Sequence, residues 1–199
     1  MPQGVWKLDG DGKVIAEGET EQQGLRIKTG TLTYVSVLLG DSAYAKAFGG
    51  GTMTHTFLDA NDYHRYHFPV SGTVLEAFVI PQDDAPGGVI TWIPEENRYR
   101  EFFTEVFGWQ SIETRGVVTL RTGSGGLVAL VPVGMCQVSS VNFEAEVVPG
   151  AKVKKGDPLG RFLFGGSDIV MIFSEDLDFS YDAVTGEKRL MGEPYGRIR

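Results

Sequence analysis

The amino-acid sequence predicts a mainly β (α+β) fold: one compact domain over residues 1–199, built of many short antiparallel strands with a few short helices. Three observations predict it. Short apolar runs rich in Val, Ile, Thr and Phe recur along the chain, at 52–58, 116–120 and 126–133 among others. Turn clusters such as Asp9-Gly10-Asp11-Gly12 and residues 121–125 separate them, and the 27 glycines suit a chain that reverses often. No Pro- or Ser-rich linker divides the 199 residues, enough for one domain with a core.

Taken in order, residues 5–8 and 13–15 flank Asp9-Gly10-Asp11-Gly12 as a hairpin, and residues 25–28 form a further short strand. Asp9-Gly10-Asp11-Gly12 also matches the start of a calcium loop, but the twelfth position is Thr20 instead of Glu, which argues against calcium. Residues 34–39 and 43–48 read as short helical pieces around Gly40-Asp41-Ser42. Residues 52–58 alternate as a strand, and 59–62 read as a turn or a helix N-cap. Residues 69–81 are a strand broken near Ser71-Gly72. Residues 94–107 are the best helix candidate, with Pro94 near the start, Glu95 and Glu96 early, and Phe102, Phe103, Val106 and Phe107 at helical spacing. Residues 116–120, 126–133 and 138–148 are strands, 149–160 a turn-rich β-segment, and 182–188 a hairpin loop.

Composition excludes several function classes. Hydrophobic content of 42% and charged content of 22% fit a soluble globular protein. A net charge of −8 with no basic stripe argues against nucleic acid. No run approaches the roughly 20 apolar residues of a membrane span. Met1-Pro2-Gln3-Gly4 opens no signal peptide. The single Cys136 excludes an internal disulfide and reads as a small core residue, with a reducing, cytoplasmic setting as the default.

Two stretches carry chemistry. In 162–173 two apolar runs are interrupted by Gly165-Gly166-Ser167-Asp168. Glycine allows close approach to its carbonyl, as an internal attack of Ser167 on the Gly166 carbonyl requires; a β-bulge or turn with an exposed serine explains the same residues. The three histidines, His55, His64 and His67, fall within 13 positions, and His64 and His67 would share a face of one helical turn. A surface cluster, acid–base chemistry and a zinc site all fit, the last weakly, since no Cys or Glu spacing completes it.

Together these stretches resemble the phosphatidylserine decarboxylase family of pyruvoyl enzymes, which includes members acting on tryptophan. The resemblance covers residues 31–175. It is carried by residues 34–48 and 51–58, by Asp62-Tyr63-His64-Arg65-Tyr66-His67-Phe68-Pro69-Val70-Ser71-Gly72-Thr73-Val74, by residues 131–141, and by Lys155-Gly156-Asp157-Pro158-Leu159-Gly160-Arg161-Phe162 running on to Phe173. The resemblance implies self-cleavage between Gly166 and Ser167 into pieces 1–166 and 167–199, with a pyruvoyl cofactor formed from Ser167. It assigns the base for Ser167 to His67 and a part in decarboxylation, as proton donor or substrate contact, to His64. The carbonyl of the pyruvoyl group would form a Schiff base with a substrate amine and drive loss of CO2. The orienting aspartate of the family sits in a Pro-x-Asp-Gly-like motif. Asp11-Gly12-Lys13-Val14 matches its second half, although position 9 is Asp9; an aspartate upstream of Met1 is the alternative. Asp168 replaces the family's more usual Ser or Thr and places a carboxylate beside the future pyruvoyl group, where it would touch substrate.

Phosphatidylserine or a related headgroup is the substrate this implies, with peripheral membrane contact. An acidic chain without a basic amphipathic helix makes a free, aromatic amino acid the rival. Residues 69–74 and 150–160 also resemble lipoyl carrier domains, but no lysine-bearing hairpin follows and the histidine motif has no place there. An unprocessed, non-catalytic homologue is the remaining alternative, and a homodimer is the default assembly.

Overall fold

The computed structural model describes residues 4–15, 34–82, 89–102, 111–135, 138, 140–163, 167–182 and 187–199. Fifteen strands lie among them. The first nine are β1 (Gly4–Leu8), β2 (Val14–Ile15), β3 (Thr52–Leu58), β4 (Arg65–His67), β5 (Gly72–Ile80), β6 (Val89–Ile93), β7 (Arg98–Phe102), β8 (Arg115–Thr122) and β9 (Leu127–Val133). The others are β10 (Asn142–Phe143), β11 (Lys152–Val153), β12 (Pro158–Arg161), β13 (Ser167–Phe173), β14 (Ser180–Tyr181) and β15 (Gly196–Arg197). A single-turn helix α1 (Val35–Leu39) and a 3₁₀ turn at Ala45–Phe48 precede β3. The fold is mainly β, as the sequence predicts.

Eight strands form one antiparallel sheet in the order β11-β5-β8-β9-β13-β3-β1-β2, and β10-β12-β4 form a second. The large sheet is apolar on both faces, so its central strands read as continuous apolar runs instead of alternating ones. One face carries Met53, Val117, Val131, Val170 and Ile172 under α1 and Phe48. The other carries Val118, Leu120, Leu130 and Phe173, packed against Tyr66, Leu159 and Phe162 of the small sheet and its exit. Arg115 is buried on the first side. Its guanidinium donates to the carbonyls of Leu38 (2.7 Å), Val37 and Glu113 (both 3.1 Å), satisfying the open end of α1.

The hairpin at 5–15 forms as expected, turned by residues 9–12. Four expectations are corrected. Of the helix expected over residues 94–107, the described part, 94–102, is not helical. Pro94–Glu96 is one 3₁₀ turn, ended by Asn97 in the left-handed region (φ 50°), and β7 returns antiparallel on β6 with Tyr99 opposite Trp92. Phe102 closes this pairing, opposite Val89; residues 103–110 lie outside the described residues. His64 and His67 do not share a helical turn, because residues 65–67 are extended and paired with β12. Among the described residues of 138–148 only Asn142–Phe143 is a strand. The chain reverses through more than 182–188, since β14 pairs with β15 across the fourteen residues 182–195. Residues 25–28 and Cys136 lie outside the described residues.

Candidate active site

Ser167 opens β13, the strand between β9 and β3. Its partner on β3 is Leu58, and Asp168 lies opposite Phe57. Side chains alternate along a strand, so Ser167 shares a face with Leu58, Ile169, Met171 and Phe173, the face that packs on Tyr66 and Phe162. Asp168 points the other way, with Phe57, Val170 and Ile172. Ser167 is fully buried, and its Oγ finds no hydrogen-bond partner among the described residues. A buried hydroxyl without a partner is costly and asks for an explanation. Gly166, the other half of the proposed cleavage site, lies outside the described residues.

The histidine motif stands on the Ser167 side. The chain turns at residues 59–62 after β3, and the His64 carbonyl then accepts the Phe162 N–H (3.0 Å) just where β12 ends and the segment to Ser167 begins. The His64 ring meets Phe162 edge-on at 6.3 Å, and its Nδ1–H donates to the Asp62 carbonyl (2.7 Å). That bond leaves the lone pair on Nε2. His67 lies at the far end of β4, opposite Pro158. Its Nδ1–H donates to the Gly156 carbonyl (3.0 Å), and its Nε2 accepts the Tyr63 hydroxyl (3.0 Å), with the two rings stacked at 5.9 Å. Both histidines are therefore the same tautomer, each held by a backbone carbonyl and each with a basic Nε2.

Asp11 is not brought to this site. It lies in the exposed turn beyond Leu8, and β1 runs with Lys7 opposite Thr52, whereas Ser167 lies opposite Leu58 at the other end of β3. The six-residue offset along β3 amounts to about 20 Å. Asp168 does not face the Ser167 side either. Its Oδ2 accepts a hydrogen bond from Nε2 of His55, both side chains being buried. The pairing of His55 was not legible locally, since its partner is 113 residues away.

The turn at 59–62 borders a polar cavity of about 410 Å³ lined by Asp59, Asn61, Asp62, Arg98 and Lys188. Arg98 pairs with Asp59 (3.1 Å) and Lys188 with Asp62 (2.5 Å). Burial raises the Asp59 pKa, but hydrogen bonds from Asn61 and the charges of Arg98 and Lys188 prevail and hold it below the ordinary carboxylate value. Lys188 is raised, chiefly by its hydrogen bond to Asp62. Among the described residues no three His, Cys, Asp or Glu side chains are grouped to hold a metal ion, and no helix is long and apolar enough to cross a membrane.

Comparison with known proteins bears on what this arrangement is. The family profile described as phosphatidylserine decarboxylase matches residues 10–197. Phosphatidylserine decarboxylase proenzyme 2 of Oryza sativa subsp. japonica is 36% identical over 155 residues, 76% of this chain and 23% of that protein. Decarboxylase iboD of Amanita muscaria is 31% identical, over 86% of this chain and 52% of that protein. An L-tryptophan decarboxylase of Psilocybe cyanescens is 30% identical, over 70% of this chain and 33% of that protein. The chain thus spans between a quarter and about half of the length of these relatives. A profile match over nearly all of the residues, with a glycine-preceded buried serine and a paired-histidine motif on one side of a β-sheet, places the chain in the phosphatidylserine decarboxylase family.

Proposed function

We propose that this chain is a self-processing pyruvoyl decarboxylase acting on a primary amine with an α-carboxylate. The observation that carries this reading is the Ser167 hydroxyl: fully buried, without a partner among the described residues, and first in a central strand directly after Gly165-Gly166.

In maturation Ser167 Oγ adds to the Gly166 carbonyl while a histidine takes its proton. The Gly166–Ser167 C–N bond breaks, giving an ester and a free amino group. Loss of the α-proton of residue 167 expels the Gly166 carboxylate and leaves a carbon–carbon double bond. Tautomerisation and addition of one water release one ammonia and leave a pyruvoyl group on 167–199. We assign the proton transfer to His67, whose Nε2 already accepts a hydroxyl, that of Tyr63. His64, held beside the segment that leads to Ser167, is the donor or substrate contact during decarboxylation. In this geometry the carbonyls of Gly156 and Asp62 orient the two imidazoles, the task a triad gives to an aspartate.

The buried serine, without a partner among the described residues, fits a pyruvoyl group, which supplies a carbonyl for the substrate amine and accepts the electron pair left by CO2. Phosphatidylserine is the substrate that the family supports. A free amino acid is the second reading, favoured by similarity to a protein named L-tryptophan decarboxylase and by a net charge of −8, which repels anionic lipid surfaces. Two assays test the reading. A hydrazine should add to fragment 167–199, seen as a mass shift absent from Ser167→Ala. Carboxyl-labelled phosphatidylserine in vesicles and labelled L-tryptophan, supplied separately, should distinguish the substrates by CO2 release. A hydrazine-reactive protein that releases CO2 from neither contradicts the substrate assignment, and one that never reacts contradicts the cofactor.

A further inference from the structure

The His55–Asp168 pair has no part in the chemistry above, yet it lies one residue from the proposed scissile bond. From Asp168 onward β13 is matched on both sides, Asp168 with Phe57 of β3 and Val133 of β9. Among the described residues, Ser167 is matched on one side only, with Leu58. The doubly held part of the strand thus begins one residue after the bond to be cut, and strand ends fray. Asp168 does not bond the residue directly opposite. His55 lies opposite Val170, two positions along, so the tie runs diagonally between the strands. A crosswise tie resists separation, whereas a diagonal one also resists sliding. Sliding matters here, because a slip of one residue exchanges the faces and would carry Ser167 away from the side that holds His64.

The setting makes packing alone a poor account of the pair. Its surroundings are apolar, with Met53, Phe57, Val170 and Ile172 on the same face and the Trp6 ring 6.4 Å from His55. Two buried polar side chains there must be desolvated, and apolar residues of like size would fill the space without that cost. A hydrogen bond adds direction, which apolar packing lacks.

We propose that His55 and Asp168 are positioning residues for self-processing: their buried hydrogen bond fixes β13 along β3 beside the scissile bond and so keeps Ser167 Oγ on the His64 side of the sheet. The proposal rests on cleavage at Gly166–Ser167. It is tested by following first-order self-cleavage of the purified precursor by mass spectrometry. The parent is compared with the double variant His55→Leu/Asp168→Val and with Asp168→Asn, and melting is measured on the Ser167→Ala form of each. The double variant should melt no lower than the parent, as buried ion pairs replaced by apolar residues often do, yet cleave about tenfold more slowly or worse. Asp168→Asn, nearly the same shape, should fold and cleave several-fold more slowly, by about threefold or more. A folded double variant that cleaves at the parent's rate overturns the proposal; if that variant does not fold, Asp168→Asn cleaving at the parent's rate does so. A parent that never cleaves overturns the reading of the site itself, so the two failures are told apart.

Discussion

At the scale of single residues the site is a matter of tautomers and hydroxyls. His64 and His67 each give Nδ1–H to a backbone carbonyl, so each presents a basic Nε2. Their assigned roles differ, and substitution separates them. His67→Asn should stop self-cleavage, leaving the full-length chain on a denaturing gel. His64→Asn should still yield two pieces but release CO2 at less than about a hundredth of the parent's rate. Tyr63→Phe frees His67 Nε2 from its hydroxyl and should cleave at least as fast as the parent; a slower rate would make Tyr63 part of the proton path. The histidine motif and the serine were legible in the sequence because their chemistry is local: residue type, spacing and neighbouring glycines carry it. The surroundings of Asp168 were not. Read along the chain, its carboxylate adjoins Ser167; in the sheet, alternation turns it to the opposite face and onto His55. Asp11 fails for a related reason, since a turn motif does not say at which end of a sheet it will stand.

At the scale of elements the small sheet β10-β12-β4 matters most, because it carries both motif histidines or their supports. Tyr66 ties it together. Its buried hydroxyl shares its one proton between the carbonyls of Asn142 (2.9 Å) and Arg161 (3.3 Å) and accepts the Asn142 N–H (3.2 Å). Tyr66→Phe should cost about 1–3 kcal/mol in chemical denaturation. Burial, above all, raises the Tyr66 phenol above its ordinary value, and burial likewise raises Tyr181 and Tyr195. A raised phenol pKa means that the folded state holds its proton more tightly. Stability is then complete below the unfolded value of about 10 and declines as pH rises above it. Melting temperature should therefore fall above about pH 10, and fall less in Tyr66→Phe. Gly160 is required for close approach. A Cβ there would stand 2.1 Å from the Asn142 carbonyl oxygen and 2.5 Å from the Tyr66 ring. Gly160→Ala should cost about 2 kcal/mol or more, since the nearest obstacle is backbone. The helix expected over 94–107 shows where local pattern misleads. Over 94–102, Asn97 reverses the chain and β6 supplies a partner that periodicity cannot reveal.

At the scale of the whole molecule, the strands of the core were readable as apolar runs between glycine-rich turns, whereas their order was not. β13 comes late in the chain yet lies between β9 and β3. Cleavage before Ser167 would therefore leave the smaller piece as a central strand, hydrogen-bonded on both sides. The two pieces should travel together through size-exclusion chromatography and separate only in denaturant. Recovery of 167–199 free under native conditions would contradict this placement. The C-terminal segment adds to the hold, with the Tyr195 hydroxyl bonded to that of Thr56 (3.1 Å) and Lys188 paired with Asp62 (2.5 Å). Everything proposed above depends on the chain cutting itself at Ser167. Intact mass spectrometry of freshly purified protein under denaturing conditions, beside Ser167→Ala, tests it most directly. Two species are expected, one ending at Gly166 and one beginning at a pyruvoyl-modified residue 167, with the variant remaining whole. A parent chain of full-length mass, differing from the variant by one oxygen alone, would contradict it.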